Sequence, residues 1–219
     1  YQDTLTGFKW LANAAIHKES TGGRFIFGYE EALGYSIGPV VRDKDGISIA
    51  LILSDLIASL KSKGQTLLDR LTELYRFHGV HMTRQRSLTL KGSEGRAQIE
   101  YVMNTLRTKQ PRQFSNLNIA SCIDYQTRSK IIGETTSSLT TSLPVSNVLE
   151  YVLDEGSRIL VRPSGTEPKI KFYFESVVSM DESEDLTAAE ENAQAQLEVV
   201  EDSLFHYIES LNAQKDGDS

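Results

Sequence analysis

Residues 162–169 read Arg-Pro-Ser-Gly-Thr-Glu-Pro-Lys and lie between two runs of strand character, 158–161 and 170–174. These residue types suit a bound phosphate. Arg162 offers a planar fork of donors that matches phosphate oxygens two at a time. A turn at Ser164, Gly165 and Thr166 can aim consecutive backbone N–H groups at one anion, because glycine adopts the needed dihedrals at little cost. The hydroxyls of Ser164 and Thr166 can donate as well, Lys169 adds charge, and Pro163 and Pro168 stiffen the two ends. A bare Ser-Gly-Thr would read as an ordinary hairpin loop. The whole octapeptide reads as a phosphate site.

Arg162 to Glu167 also resembles the phosphate-binding loop in the last domain of the α-D-phosphohexomutases, the phosphoglucomutase/phosphomannomutase superfamily. Phe27-Gly28-Tyr29-Glu30-Glu31-Ala32-Leu33-Gly34-Tyr35 looks like the sugar-binding loop of that superfamily's third domain, and Thr4-Leu5-Thr6-Gly7-Phe8-Lys9-Trp10 is similar to a stretch upstream of it. The three segments follow the family's order, so the resemblance spans nearly the whole chain. It implies an α/β fold over residues 1–82, a partial third domain with a mixed sheet and helices. Residues 83–219 would then be an α+β fourth domain, with helices packed on a mainly antiparallel sheet.

The resemblance further implies site residues and an activity. The substrate phosphate would be held by Arg162, Ser164, Gly165, Thr166 and Lys169. The sugar would be held at Glu30, Ala32 and Lys44. Ala32 stands where many members place a serine, so one hydroxyl contact is absent and hexose selectivity is left open. For Glu31 a solvent-facing role is equally readable, and Lys44 reads either as a ligand or as a solvated turn lysine. The parent enzyme would interconvert hexose 1-phosphate and hexose 6-phosphate, of glucose or mannose, through a phosphoserine, a sugar bisphosphate and Mg²⁺. Phosphopentomutase and sugar-bisphosphate synthase activities lie near this branch, and a non-catalytic phosphosugar-binding module is a further alternative.

Other family segments are missing from this sequence. It holds neither the Thr-x-Ser-His-Asn-Pro segment of the catalytic serine nor the Asp-Gly-Asp-x-Asp-Arg metal loop, and Asp216-Gly217-Asp218 is a chance echo of the latter. The expectation is therefore a substrate-recognition part that is inactive alone and relies on N-terminal domains of the same protein. Its first residues are Tyr1-Gln2-Asp3 rather than Met, and they lie close to the first motif. A truncated third domain would leave strand edges and apolar surface uncovered, so self-association is expected.

Composition narrows the class. Among 219 residues, 39% are hydrophobic and 24% charged, as in soluble globular chains. No apolar run approaches the roughly 20 residues that span a bilayer. The net charge of −7 argues against a nucleic-acid or anionic-membrane partner. A sugar phosphate would have to be held by local positive charge. The single Cys122 excludes an internal disulfide and suits a cytoplasmic setting. Asp43 and Asp45, in a turn before a helix, read as caps rather than metal ligands. His17, His78, His81 and His206 are scattered, and no role falls to them.

The elements that must position these residues follow from pattern. Ile49, Ile52, Leu53, Leu56, Ile57 and Leu60 step at helical spacing, predicting a helix with one apolar face over 46–61, ended by Gly64. Thr66 is an N-cap for a second helix that reaches about Phe77 before Gly79. The run 25–27 reads as a short buried strand ending in a turn at Gly28, and helix–strand alternation over 1–80 suggests a partly parallel sheet. Residues 80–88 are extended and polar, like a linker. A helix is predicted over 93–108, strands over 119–123 and 147–152, a turn at 154–157 and an exposed loop over 135–142. A long helix closes the sequence from about Ala188 to Leu211.

Overall fold

The computed structural model describes residues 1–219 except 31, 32, 91, 142, 166, 182, 218 and 219; of 92–94 and 212–217 it describes the backbone only. The chain divides into two compact units, Tyr1–Leu71 and Thr72–Ser219.

In the first unit, helix α1 (Phe8–Ser20) precedes a two-stranded ribbon of β1 (Phe27–Glu30) and β2 (Gly34–Ile37), and helix α2 (Gly46–Ser62) follows. The ribbon is antiparallel, pairing Tyr29 with Tyr35 and Glu30 with Gly34. Here the partly parallel expectation is corrected: the connection over 31–33 is far shorter than the dozen or so residues a parallel crossover needs. The predicted buried strand is also corrected. The strand runs through Gly28 to Glu30, and Ile26 and Phe27 are exposed.

Helix α2 matches its prediction in extent. Asp45 caps it, accepting from the amides of Ile47 at 3.2 Å and Ser48 at 3.0 Å. Of its apolar stripe, Leu60 is buried, whereas Ile52, Leu53, Leu56 and Ile57 are exposed, as is Leu51 beside them. Gly64 follows in the left-handed region at φ 72°. Helix α3 (Leu67–His78) opens on a capping box: Asp69 N donates to Thr66 Oγ1 at 3.1 Å, and Thr66 N to Asp69 Oδ2 at 2.7 Å. It carries the chain into the second unit.

The second unit is an antiparallel sheet backed by two helices. Its strands are β3 (Val80–Thr89), β4 (Gln113–Phe114), β5 (Leu117–Asp124), β6 (Ser129–Ile132), β7 (Thr135–Ser138), β8 (Leu149–Leu153), β9 (Arg158–Pro163) and β10 (Lys169–Val178). Helix α4 (Gly92–Thr108) follows β3, and α5 (Leu186–Gly217) ends the chain. The order is β3-β10-β9-β8-β5-β6-β7, with β4 on β5.

The predicted linker at 80–88 is thus an edge strand, paired with β10 from Val80↔Val178 to Thr89↔Lys169. It looked like a linker because an edge strand keeps a polar, part-exposed surface. Half of the predicted loop at 135–142 is β7, exposed along its whole length and paired with β6.

One face of this sheet makes the core. Ile159 and Val161 of β9, and Ile170, Phe172 and Phe174 of β10, are buried against Met103 and Leu106 of α4 and Leu197 and Leu204 of α5. Each such side chain contributes about 1.5–3 kcal/mol of burial. Tyr151 is fully buried and satisfies its hydroxyl by donating to Leu106 O at 3.0 Å. Cys122 lies in the same core, where burial pushes its thiol up to about 12, leaving it inert. Among the described residues, no helix is long and apolar enough to cross a membrane.

Candidate functional site

The phosphate-loop candidates sit where β9 turns into β10. Ser164 N donates to Lys169 O at 2.8 Å, the last bond of the ladder, while Lys169 N donates within the turn to Glu167 O at 2.8 Å. Pairs alternate along an antiparallel ladder, so Pro163 faces Ile170 at a position needing no N–H from it. The loop is also tied sideways, because Leu90 N donates to Pro168 O at 2.9 Å.

The same register places Arg162 directly opposite Lys171. Both lie on the face away from the core, since their neighbours Val161, Ile170 and Phe172 point inward. Like charges directly opposite on a ladder are destabilising. Neither side chain makes a hydrogen bond or ion pair with another described residue. Lys171 was missed in the sequence, although the alternation of Lys169, Lys171 and Tyr173 with Ile170, Phe172 and Phe174 was a usable signal. A tight loop then sets 171 across from 162.

Lys169 is placed differently from Arg162. Its Nζ lies 2.6 Å from Glu167 Oε2, so its charge is answered within the loop. The Lys169 hydrogen bond, its charge and the nearby Lys171 together hold the Glu167 carboxyl below its ordinary range. Three cations against one carboxylate leave this small region with two positive charges.

The loop's own donors can be accounted for. Glu167 N donates to Ser164 Oγ at 3.3 Å, which leaves the Ser164 hydroxyl proton to point elsewhere. The N–H of Gly165 has no acceptor among the described residues. Gly165 does not adopt a left-handed φ, so conformational freedom is not what the position uses. A Cβ there would meet no atom within 4 Å, so the chain leaves open space above it. Thr166 lies outside the described residues. A fork, an ammonium, a hydroxyl and an amide thus lie on or beside this turn.

In the first unit, Glu30 ends β1 and Lys44 lies just before α2. Lys44 Nζ is 2.5 Å from Glu30 Oε1, and the Glu30 side chain is largely covered. Gly34 makes this possible: a Cβ there would come within 2.8 Å of Lys44 Cε and 2.9 Å of Glu30 Cγ. The turn beside them is strained, with Leu33 at φ 55°. Ala32 and Glu31 lie outside the described residues. Asp43 accepts from Lys44 N at 2.7 Å and Asp45 caps α2, so both act as local turn formers. Hydrogen bonds from Ser48 hold the Asp45 carboxyl below its ordinary value.

No three His, Cys, Asp or Glu side chains converge among the described residues as metal ligands would.

Comparison with known proteins brings both loops into one frame. Residues 1–76 match the family described as phosphoglucomutase/phosphomannomutase, alpha/beta/alpha domain III. Residues 120–193 match the phosphoglucomutase/phosphomannomutase C-terminal domain. The phosphoglucomutases of Staphylococcus epidermidis and Staphylococcus haemolyticus are each 38% identical over 173 residues, covering 79% of this chain and 31% of the relative. That of Staphylococcus aureus is 38% identical over 175 residues with the same coverage. The chain thus spans about a third of the length of these curated relatives. The open form of the Paramecium exocytosis-sensitive phosphoprotein parafusin, a phosphoglucomutase, aligns over 91% of this chain and 33% of its own, with TM-score 0.52 and 21% identity. That likeness is one of fold.

Proposed function

The chain belongs to the phosphoglucomutase/phosphomannomutase superfamily, and from that premise we propose that it is the substrate-recognition portion of a phosphohexomutase. The parent enzyme interconverts hexose 1-phosphate and hexose 6-phosphate of glucose or mannose. The observation that carries this reading is the Arg162–Lys171 pair, two cations set side by side next to the open Gly165. Their repulsion is relieved when a phosphate sits between them.

In this reading the loop holds the phosphate that is not being transferred. Amide, hydroxyl and guanidinium donors recognise phosphate without demanding one face of the sugar, so either substrate orientation is accepted. Binding energy at this remote group positions the reacting end. Glu30 and Lys44 exchange their mutual ion pair for sugar hydroxyls. The phosphoryl carrier is a serine elsewhere in the parent, which passes through a sugar bisphosphate. Mg²⁺ in the parent, held by residues outside this chain, supplies charge neutralisation.

The chain alone is inactive in this reading, and the parent works in the cytoplasm. The domain assignment is likewise a proposal: a sugar-binding part over 1–82 and a phosphate-binding part over 83–219, beside compact units that divide at 71 and 72.

Calorimetric titration of glucose 1-phosphate into the chain tests the reading, alongside a coupled mutase assay. Binding without turnover is expected. Arg162→Ala should weaken binding about tenfold or more, the worth of hydrogen bonds to a charged group. Equal affinity of the two proteins would remove the loop from substrate recognition.

A further inference from the structure

The face of the second unit's sheet that lies opposite α4 and α5 continues beyond the Arg162–Lys171 pair. Strand alternation sends Phe172 and Phe174 into the core and leaves Lys171 and Tyr173 on the opposite face of β10. The register sets Arg162 opposite Lys171 and Leu160 opposite Tyr173. These four form a two-by-two patch, with two cations in one row and an aromatic ring and an isobutyl group in the next. All four are half-buried, on a face that neither α4 nor α5 covers. Same-face residues repeat about every 6.8 Å along a strand, and adjacent strands lie about 4.8 Å apart. The second row therefore lies about one pyranose ring from the anchor.

The borders of this row are polar. Gln85 of β3 lies opposite Tyr173, and Glu150 of β8 lies opposite Leu160. Glu150 is itself buried, accepts from Tyr125 Oη at 2.7 Å and lies 3.9 Å from Arg158, so it bounds the row without facing the ligand, and Gln85 is the exposed polar border. A hexose has matching chemistry: C–H groups that favour an apolar surface, and hydroxyls around its rim.

We propose that Tyr173 and Leu160 form a platform for the C–H face of a sugar monophosphate whose phosphate is held at Arg162 and Lys171. The second unit then reads the ring as well as the phosphate. The ligand lies along β10 rather than standing off the sheet, and Tyr173 is a specificity-determining residue that favours organic phosphates over inorganic phosphate. This rests on the phosphate reading given above.

The test uses the whole 219-residue chain. Inorganic phosphate and glucose 1-phosphate are titrated into wild type, Arg162→Ala, Tyr173→Ala and Tyr173→Leu, the last keeping bulk without the ring. Glucose 1-phosphate should bind wild type more tightly than phosphate does. The Tyr173 variants should lose roughly fivefold to tenfold of that advantage, an aromatic packing contribution. Their affinity for inorganic phosphate should be unchanged, which also shows that they are folded. Saturating the protein's aromatic protons should transfer magnetisation to sugar C–H protons in wild type and much less in Tyr173→Leu.

Two failures are distinguishable. If inorganic phosphate shows no dependence on Arg162, the anchor reading falls and the platform falls with it. If phosphate depends on Arg162 but the Tyr173 variants bind glucose 1-phosphate as wild type does, the anchor stands and the platform is overturned.

Discussion

The two loops that would read a sugar phosphate are supported in opposite ways. Glu30 is carried on a four-residue strand of a ribbon whose Phe27 and Tyr29 are exposed, and the helix after it leaves Leu51 and Ile52 in solvent. Arg162 is carried on the third strand of a seven-strand path, over Val161 and Phe172, which are fully buried. In the first unit, position depends on local devices: the Asp45 cap, the close approach at Gly34 and the Glu30–Lys44 pair. In the second, it is set by long-range register and a core. A loop fixed by local polar contacts can exchange them for ligand, whereas one fixed by a core keeps its geometry whether or not ligand is present.

The comparison can be broken most forcefully in the core. Phe172→Ala removes a fully buried ring and should cost about 3–5 kcal/mol in denaturant unfolding. A cost near zero would mean that the sheet is not what holds Arg162 in place.

Acid should act next, and on the second unit. Burial alone would raise the Glu175 carboxyl, but the hydrogen bonds and charges of His81 and Arg158 outweigh it and hold the group below its ordinary value of 4.5. A depressed carboxylate contributes stability that is fully present above 4.5 and lost as pH falls through the lowered value. Unfolding measured on either side of that pH should show wild type losing stability on acidification. Glu175→Gln should start lower at neutral pH and show a shallower acid limb. Parallel pH profiles would remove Glu175 from the account.

The smallest effect on stability should come from α2. Ile52→Ser with Leu56→Ser should change unfolding free energy by only about 0.5 kcal/mol per site, as exposed positions do. The same pair should shift sedimentation toward monomer if the exposed stripe drives self-association. A wild-type chain that sediments as a monomer at all concentrations would argue against that role.

How far the sequence revealed this molecule depended on whether the signal was local. The apolar steps of α2, the Thr66 cap, the stops at Gly64 and Gly79 and the long final helix all act within a few residues, and each matches the structure. The octapeptide at Arg162 was visible by composition. What escaped notice depended on pairing between distant segments. The 80–89 strand is made by its pairing with β10, and its own residues are too polar to read as a strand. The residue across from Arg162 is fixed by register rather than by any motif. Apolar character also misled at 25–27, where Ile26 and Phe27 are exposed.

The β3–β10 ladder also bears on the order of assembly. Lys169 meets Thr89, and Val178 meets Val80, so each closing contact spans roughly 80 to 100 residues. Pairings that distant form slowly, because loop closure must be overcome before they reward the chain. A ribosome making this chain would have finished the Glu30 ribbon long before β10 emerged. The loop that carries Arg162 is thus made after the ribbon, and no nascent chain that stops before Lys169 holds its pairing with Thr89.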